Sequence, residues 1–187
     1  PPPPPPCPPP QHLWNYPHMP AMAIGGPVSS MAAQNIGAGK WHRVEQTTGI
    51  AILFHIVVSG ALIGLMTFFE RPILALFLEG SGDAIDKGAH MMHIVNWSYL
   101  IFGAAMVMFG TMRANGIVLA PLIILTLSLF FVRIGFYHFT YPIIGIDGLW
   151  WSFPVSTLFS LILAFLYYRY SRWREVRIDV HPMGRPD

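Results

Sequence analysis

The sequence predicts an all-α fold, a polytopic transmembrane helix bundle with about five spanning helices. Hydrophobic residues make up 53% of the 187-residue chain and charged residues only 11%, whereas soluble domains carry roughly a quarter charged residues. Four stretches contain no Asp, Glu, Lys or Arg: 46–69, 88–112, 114–132 and 148–168. Each is close to the roughly 20 residues that cross a hydrocarbon core as a helix. Because the backbone in lipid must satisfy its own hydrogen bonds, we expect these stretches to be helical.

The N-terminal region divides into two parts. Residues 1–11 form a proline-rich, low-complexity segment that begins with Pro1 rather than Met, and we interpret it as artefactual or disordered. Residues 11–39 carry no formal charge but include Pro17, Pro20 and Pro27. Neighbouring helices can re-satisfy the backbone groups that proline leaves unpaired, so this part is predicted to be a kinked transmembrane helix. A re-entrant or surface segment is the alternative.

The remaining spans follow from the uncharged stretches. They are predicted at 47–69, 89–112, 118–141 and 150–168. The connections are predicted as a polar link at 40–45, a short interfacial helix at 73–79, a loop at 80–87, a tight turn at 113–116 and a loop at 143–149. Gly60 and Gly64 have the small-residue spacing that lets two membrane helices approach closely, so they are predicted to lie at a helix–helix contact.

The loops indicate an orientation. If all five segments span, the basic residues collect on one side of the membrane: Lys40, Arg43, Arg113, Arg169, Arg172, Arg174 and Arg177. The opposite side carries Asp83, Asp86 and Asp147. Cytoplasmic loops are enriched in Lys and Arg, so the C-terminus, with its tail at 176–187, is predicted to be cytoplasmic.

Four sequence segments, taken in chain order, carry a resemblance to a known family of membrane proteins. They are WNYPHMPAMAIGGPVSSMAAQNIGAGKWHRV, NWSYLIFGAAMVMFGTMRANG, VRIGFYHF and GIDGLWWSFPVSTLFSLILAFLYYR, and AAQNIGAGKW is the most distinctive part. They resemble helices eight, ten, eleven and twelve of the multidrug and toxic compound extrusion (MATE) transporters. The resemblance covers residues 12–175, which would form helices eight to twelve of that fold and part of its six-helix C-terminal lobe.

The resemblance implies a function. MATE transporters have two six-helix lobes around a central cavity, and cation entry drives the export of organic, often cationic, compounds. This chain would therefore be a fragment of an H⁺- or Na⁺-coupled antiporter in the cell (inner) membrane, and it is not expected to transport alone. Its expected partners are the lipid bilayer, organic small molecules and the missing N-terminal lobe. We expect no nucleic acid, since the formal net charge is only +2, and no cofactor besides the coupling ion.

Uncharged polar residues in the spans are candidates for a substrate cavity, because polar groups are costly in lipid and tend to face the bundle. Asn15, Asn96 and Tyr99 are the candidates for lining that cavity. Hydrogen bonding between helices is an equally good account of the same residues.

The motif that follows the first helix contains Gln34, Asn35, Gly37 and Gly39. Because this motif lies at the predicted cytoplasmic end of the helix, Gln34 and Asn35 are expected to fix the loop rather than contact substrate.

Arg133 is the one formal charge deep in a hydrophobic stretch. It lies about 15 residues after Val118, roughly 22 Å along a helix, which is expected to put it towards the outer end, where it could snorkel to the interface or meet a partner. The predicted spans contain no interior Asp or Glu. If the complete transporter is proton-coupled, its carboxylate is therefore expected in the missing lobe.

Two other functions remain open at this point. Four histidines lie in or near predicted helices: His55, His90, His93 and His138. Histidines can ligate haem or copper in a membrane bundle, which leaves a haem- or quinone-linked oxidoreductase subunit as an alternative. A lipid-linked sugar flippase of the same superfamily is the other. The sequence shows no nucleophile–base–orienter pattern, and we expect neither an enzyme nor a metal site.

Overall fold

A computed structural model describes residues 19–77, 82–171 and 173, and those residues form an all-helical bundle. The helices are α1 (Met19–Gly37), α2 (Trp41–Phe68), α3 (Glu70–Phe77), α4 (Gly82–Ala114), α5 (Leu119–Ile144) and α6 (Asp147–Tyr170). Helix α5 is continuous but includes a π-helical segment, Leu127–Val132. The proline-rich segment 1–11, Asn15 and the tail 176–187 lie outside the described residues.

Four of these helices, α2, α4, α5 and α6, are long and apolar enough to cross a membrane. These four match the four uncharged stretches, so the predicted polytopic all-α bundle is confirmed. Helix α1 has 19 described residues and is not among the four. That residues 11–39 span the membrane therefore stays a prediction.

Several predicted helix ends are wrong in the same way, because the helices are longer than predicted. Helix α2 begins at Trp41, inside the predicted polar link, and α4 begins at Gly82, so residues 82–87 are helical and not a loop. Only Gly145 and Ile146 separate α5 from α6. The physical reason is that absence of charge marks only the lipid-embedded part of a helix. Each helix continues into the polar interface, where charged side chains reach water.

Helix α4 lies at the centre of the bundle. It packs against α1 and α2 on one side and against α6 on the other, and α5 packs against α6. The core between α4, α5 and α6 contains Phe109, Met112, Ile124 and Ala164. A second small core joins α1, α2 and α4.

Close backbone approach occurs at two glycines of α4. A Cβ at Gly103 would overlap the imidazole ring of His55, and a Cβ at Gly110 would lie 3.0 Å from the carbonyl oxygen of Gly25 in α1. The predicted contact at Gly60 and Gly64 is wrong for the described bundle, because a Cβ at either position meets no atom within 4 Å. The buried face of α2 instead carries Val44, Thr48, Ala51, His55, Ser59 and Ile63. Small-residue spacing alone did not identify which face is covered.

The basic end of the bundle is held together by an aromatic cluster. Trp173 packs edge-on against Trp41, with ring centroids 5.8 Å apart, and against Tyr168 at 5.0 Å. The Asn115 side-chain amide, in the turn after α4, donates to the carbonyl oxygen of Trp173 at 2.6 Å. The start of α2 and the ends of α4 and α6 therefore meet at one end of the bundle.

Consequently, Lys40, Arg43, Arg113 and Arg169 lie at the same end, as the alternation of spans predicts. At the opposite end, Arg71 forms an ion pair with Asp86 at 3.0 Å.

Candidate functional site

Asn96 is a buried polar residue in the middle of α4. Its side chain is 1% exposed, and its amide nitrogen has no hydrogen-bond partner. A buried donor left unpaired costs about 1–3 kcal/mol of stability. The described bundle therefore bears that cost at Asn96. The amide keeps a donor that no described residue uses, and Asn96 as a cavity residue stays a prediction.

Tyr99, one turn after Asn96, is half-buried and close enough to Arg133 of α5 for the two groups to interact electrostatically. The guanidinium of Arg133 lies over the ring of Phe153 in α6, 3.8 Å from its centroid. The Arg133 Nε atom is buried and has no hydrogen-bond partner among the described residues. Side chains from α4, α5 and α6 therefore converge around one cation.

The position of Arg133 differs from the prediction that placed it near the end of its helix. Because α5 continues to Ile144, Arg133 lies 11 residues before that end, or about 16 Å along the axis. The π-helical segment Leu127–Val132 ends immediately before it. Such segments occur often at functional sites, where the extra residue in a turn changes the direction of the side chains that follow. Of the two predicted outcomes, snorkelling or a partner, the structure shows a partner, Phe153.

The loop motif closes helix α1 and turns the chain into α2. The Asn35 side-chain amide donates to the Met31 carbonyl oxygen at 2.8 Å, and the Asn35 carbonyl accepts from Lys40 N–H at 2.8 Å. Gly39 has φ +69°, a backbone conformation that favours glycine. Gly37 is the last residue of α1, and Gln34 is exposed. This geometry suits a connecting turn.

A polar seam between α2 and α4 was not singled out as a unit by the sequence analysis. The hydroxyl groups of Thr48 and Thr111 lie 2.9 Å apart, and the His55 ring lies 3.1 Å from the Ser59 hydroxyl and 3.3 Å from the Leu100 carbonyl oxygen. The spacing of Thr48, His55 and Ser59, seven and four residues, places them on one helix face and could have revealed the seam.

Two grooves open at opposite ends of the bundle. At the basic end, a cavity of about 480 Å³ between α2, α4 and α6 has apolar walls that include Ile52, Met108 and Phe165, with Glu45 and Arg169 among its polar lining residues. At the other end, a cavity of about 580 Å³ is lined by Asp86, Lys87, Gly88, His90, Met91, Ile146, Asp147 and Trp150. Neither groove includes Asn96 or Tyr99.

The histidines in the described part of the chain do not form a paired ligand set. His55 is fully buried between α2 and α4, whereas His90 is exposed at the end opposite the aromatic cluster, 3.8 Å from an Asp147 carboxylate oxygen. His93 is also exposed. Within residues 19–77, 82–171 and 173, no three His, Cys, Asp or Glu side chains come together as metal ligands.

Comparison with known proteins gives matches along most of the chain. The MatE family model matches residues 11–137. Probable multidrug resistance protein YoeA of Bacillus subtilis is 34% identical over 166 residues, which cover 88% of this chain and 35% of YoeA. Probable multidrug resistance protein YpnP of the same organism is 31% identical over 160 residues, which cover 86% of this chain and 36% of YpnP.

The chain thus spans about a third of the length of these two relatives. No solved structure matches it. The matched region contains α1 to α4 and most of α5, and therefore includes the loop motif, Asn96, Tyr99 and Arg133. Since the family model covers more than half of the chain and the bundle has the membrane-spanning helices that the sequence resemblance implied, this chain belongs to the MatE family.

Proposed function

We propose that this chain forms part of a membrane transporter that exports drug-like organic compounds from the cell. The observation that carries the proposal is the MatE match over residues 11–137, which runs through the central helix of the bundle. Both relatives are named as probable multidrug resistance proteins. Coupling of export to H⁺ or Na⁺ entry is part of the proposal and rests on family membership.

Transport also requires structure beyond this chain. Alternating access needs two repeats that move against each other around a site between them, and the chain matches only about a third of its relatives. Tyr99, which is half-buried, is proposed to face the path of the exported compound, opposite a second lobe. Asn96, buried one turn away, is proposed to reach that path when the helices move during transport. The described spans contain no Asp or Glu between Glu45 and Glu70 or between Asp86 and Asp147, so we place the coupling carboxylate in that second lobe.

The test uses YoeA as host. Its region that aligns with this chain is replaced by this chain, and energy-dependent ethidium efflux is measured in a pump-deficient bacterium. We expect the chimera to export ethidium if YoeA does, whereas this chain alone and YoeA lacking the region should not. Efflux by this chain alone, abolished by collapsing the ion gradient, would contradict the proposed need for a second lobe. A folded chimera that is inactive beside an active YoeA would contradict the proposed function.

The basic end of the bundle is proposed to face the cytoplasm of the cell membrane. Positive charge at Lys40, Arg43, Arg113 and Arg169 motivates this orientation. Reporters fused after Arg113 and after Arg177 should both read as cytoplasmic, and a reporter placed at Asp147 should read as external. A cytoplasmic signal at Asp147 would reverse the orientation.

A further inference from the structure

Arg133 is a permanent positive charge within a membrane-spanning helix. A guanidinium keeps its proton in proteins, and ionisable residues inside membrane spans mark functional sites. Arg133 lies 14 residues from the start of α5 and 11 from its end, so neither interface is close. Its surroundings therefore decide whether the charge is balanced within the chain.

The described residues do not neutralise the positive charge of Arg133. Within the part of the chain that the structure describes, Arg71 pairs with Asp86 and His90 lies near Asp147, and no carboxylate pairs with Arg133. Its contact with the face of Phe153 at 3.8 Å supplies a cation–π attraction, which replaces only part of the lost hydration. The Nε–H group remains buried without an acceptor.

Phe153 and Tyr99 are the described residues that the structure shows interacting with Arg133, and neither carries a negative charge. Tyr99 brings a hydroxyl group into electrostatic range. One turn earlier on the same helix, the Asn96 amide nitrogen is an unpaired buried donor. The guanidinium still lacks an acceptor for its Nε–H group among the described residues, and a single negative group would supply it, because Arg binds a carboxylate through two parallel hydrogen bonds.

We propose that Arg133, stacked on Phe153 and flanked by Tyr99, is a membrane-embedded binding site for an anion, of the class of a carboxylate or a small inorganic anion. The π-helical segment Leu127–Val132 ends immediately before Arg133, and the guanidinium lies over the ring of Phe153 in α6. This site does not depend on the proposed export function, since it is defined by binding. It extends the expected range of cargo beyond cations to compounds that carry a carboxylate.

The test is an NMR titration of the complete 187-residue chain in phosphatidylcholine nanodiscs with sodium benzoate. The Arg133 Nε–Hε signal is assigned by its absence from the spectrum of Arg133→Lys. We expect a saturable shift of this signal with benzoate and none with benzyl alcohol, which has the same ring but no charge. The site is refuted if the signal does not shift at the highest benzoate concentration that dissolves in the sample. It is also refuted if benzyl alcohol shifts the signal equally.

Variants make the test residue-specific. In calorimetric titrations with benzoate, Arg133→Gln should weaken binding by about tenfold or more, because a charge-assisted hydrogen bond is lost. The matched control is Arg113→Gln, which removes an exposed arginine from the last turn of the central helix α4 and should bind as the original chain does. Equal binding by Arg133→Gln would overturn the proposal. If Arg133→Gln does not fold, the NMR titration of the unmodified chain decides alone.

Lipid headgroups are a second source of negative charge. Repeating the titration in phosphatidylglycerol nanodiscs separates the two sources. Unchanged benzoate affinity supports a site for dissolved or substrate anions, as the depth of Arg133 predicts. Weaker affinity together with a lipid-induced shift of the Arg133 signal supports the same anion site with a lipid phosphate as its occupant.

Discussion

Helices α2 and α4 are both apolar spans, yet they have opposite positions in the bundle. In the most apolar stretch of α4, 67% of the residues are buried by the rest of the protein, whereas in the most apolar stretch of α2 only 17% are buried. Large side chains of α2 such as Ile50, Leu53 and Phe68 face outward, 69%, 63% and 79% exposed. The more apolar of the two helices is thus the peripheral one.

The difference shows that hydrophobicity does not sort helices in lipid. Lipid tails are as apolar as Leu, so association depends on close packing of small residues and on hydrogen bonds between helices. Helix α4 has Gly103, Ala104, Ala105 and Gly110 in its buried faces. Helix α2 contributes one polar seam and otherwise presents side chains suited to lipid or to another part of the transporter.

The largest predicted effect separates glycines on the two helices. Gly103→Leu should lower the free energy of unfolding by about 3 kcal/mol, because the side chain overlaps the His55 ring and overpacking of this kind is costly. Gly60→Leu and Gly64→Leu are matched controls on α2, where a Cβ meets nothing. The measurement is unfolding by sodium dodecyl sulfate in mild detergent.

A rescue variant sharpens that comparison. Gly103→Ala alone should destabilise, and Gly103→Ala combined with His55→Ala should recover part of the loss, because the ring that causes the overlap is gone. If the two control leucines cost as much as Gly103→Leu, the assignment of buried faces on α2 and α4 is wrong.

The next largest effect is at the end of α4. Asn115→Ala should cost about 1–3 kcal/mol, since it leaves the Trp173 carbonyl without its donor at 2.6 Å. Asn35→Ala removes a solvent-exposed bond to Met31 and should change stability by less than about 0.5 kcal/mol. Thermal unfolding followed by tryptophan fluorescence measures both, and equal effects would contradict the role of the aromatic cluster in fixing α4 and α6.

A smaller effect is expected where α1 crosses α4. Gly110→Ala places a methyl group 3.0 Å from the Gly25 carbonyl oxygen and should destabilise by about 1 kcal/mol. Gly49→Ala on α2 meets no neighbour and should be neutral or stabilising, because alanine favours the helix over glycine. A more stable Gly110→Ala variant would show that α1 and α4 are not held this closely.

The smallest effect is the hydrogen bond across the seam. A double-mutant cycle of Thr48→Val and Thr111→Val should give a coupling energy of about 0.6 kcal/mol, the average for hydrogen bonds between membrane helices. Thr47→Val with Thr111→Val is the matched cycle without a bond and should give no coupling. Equal coupling energies in the two cycles would mean that the 2.9 Å hydrogen bond between Thr48 and Thr111 does not stabilise the bundle.

The sequence by itself determined the fold class, the four apolar spans and the family. These follow from composition and from segment motifs, because a chain in lipid has few ways to satisfy its backbone. The collection of basic residues at one end also followed, since consecutive spans must alternate in direction. Helix ends were less predictable, because the charges that mark the edge of the hydrocarbon core are compatible with a helix that continues into the interface.

Only the tertiary structure decided which faces are covered. Gly60 and Gly64 have the spacing of a contact but lie in the open, whereas Gly103 and Gly110 have the contacts. Which face a membrane helix buries depends on its neighbouring helices. Lipid and protein interior are equally apolar, so an apolar side chain has no preference between facing lipid and facing another helix. For the same reason, the position of Arg133 over Phe153 could not be read from α5 alone, because the ring that receives the charge belongs to another helix.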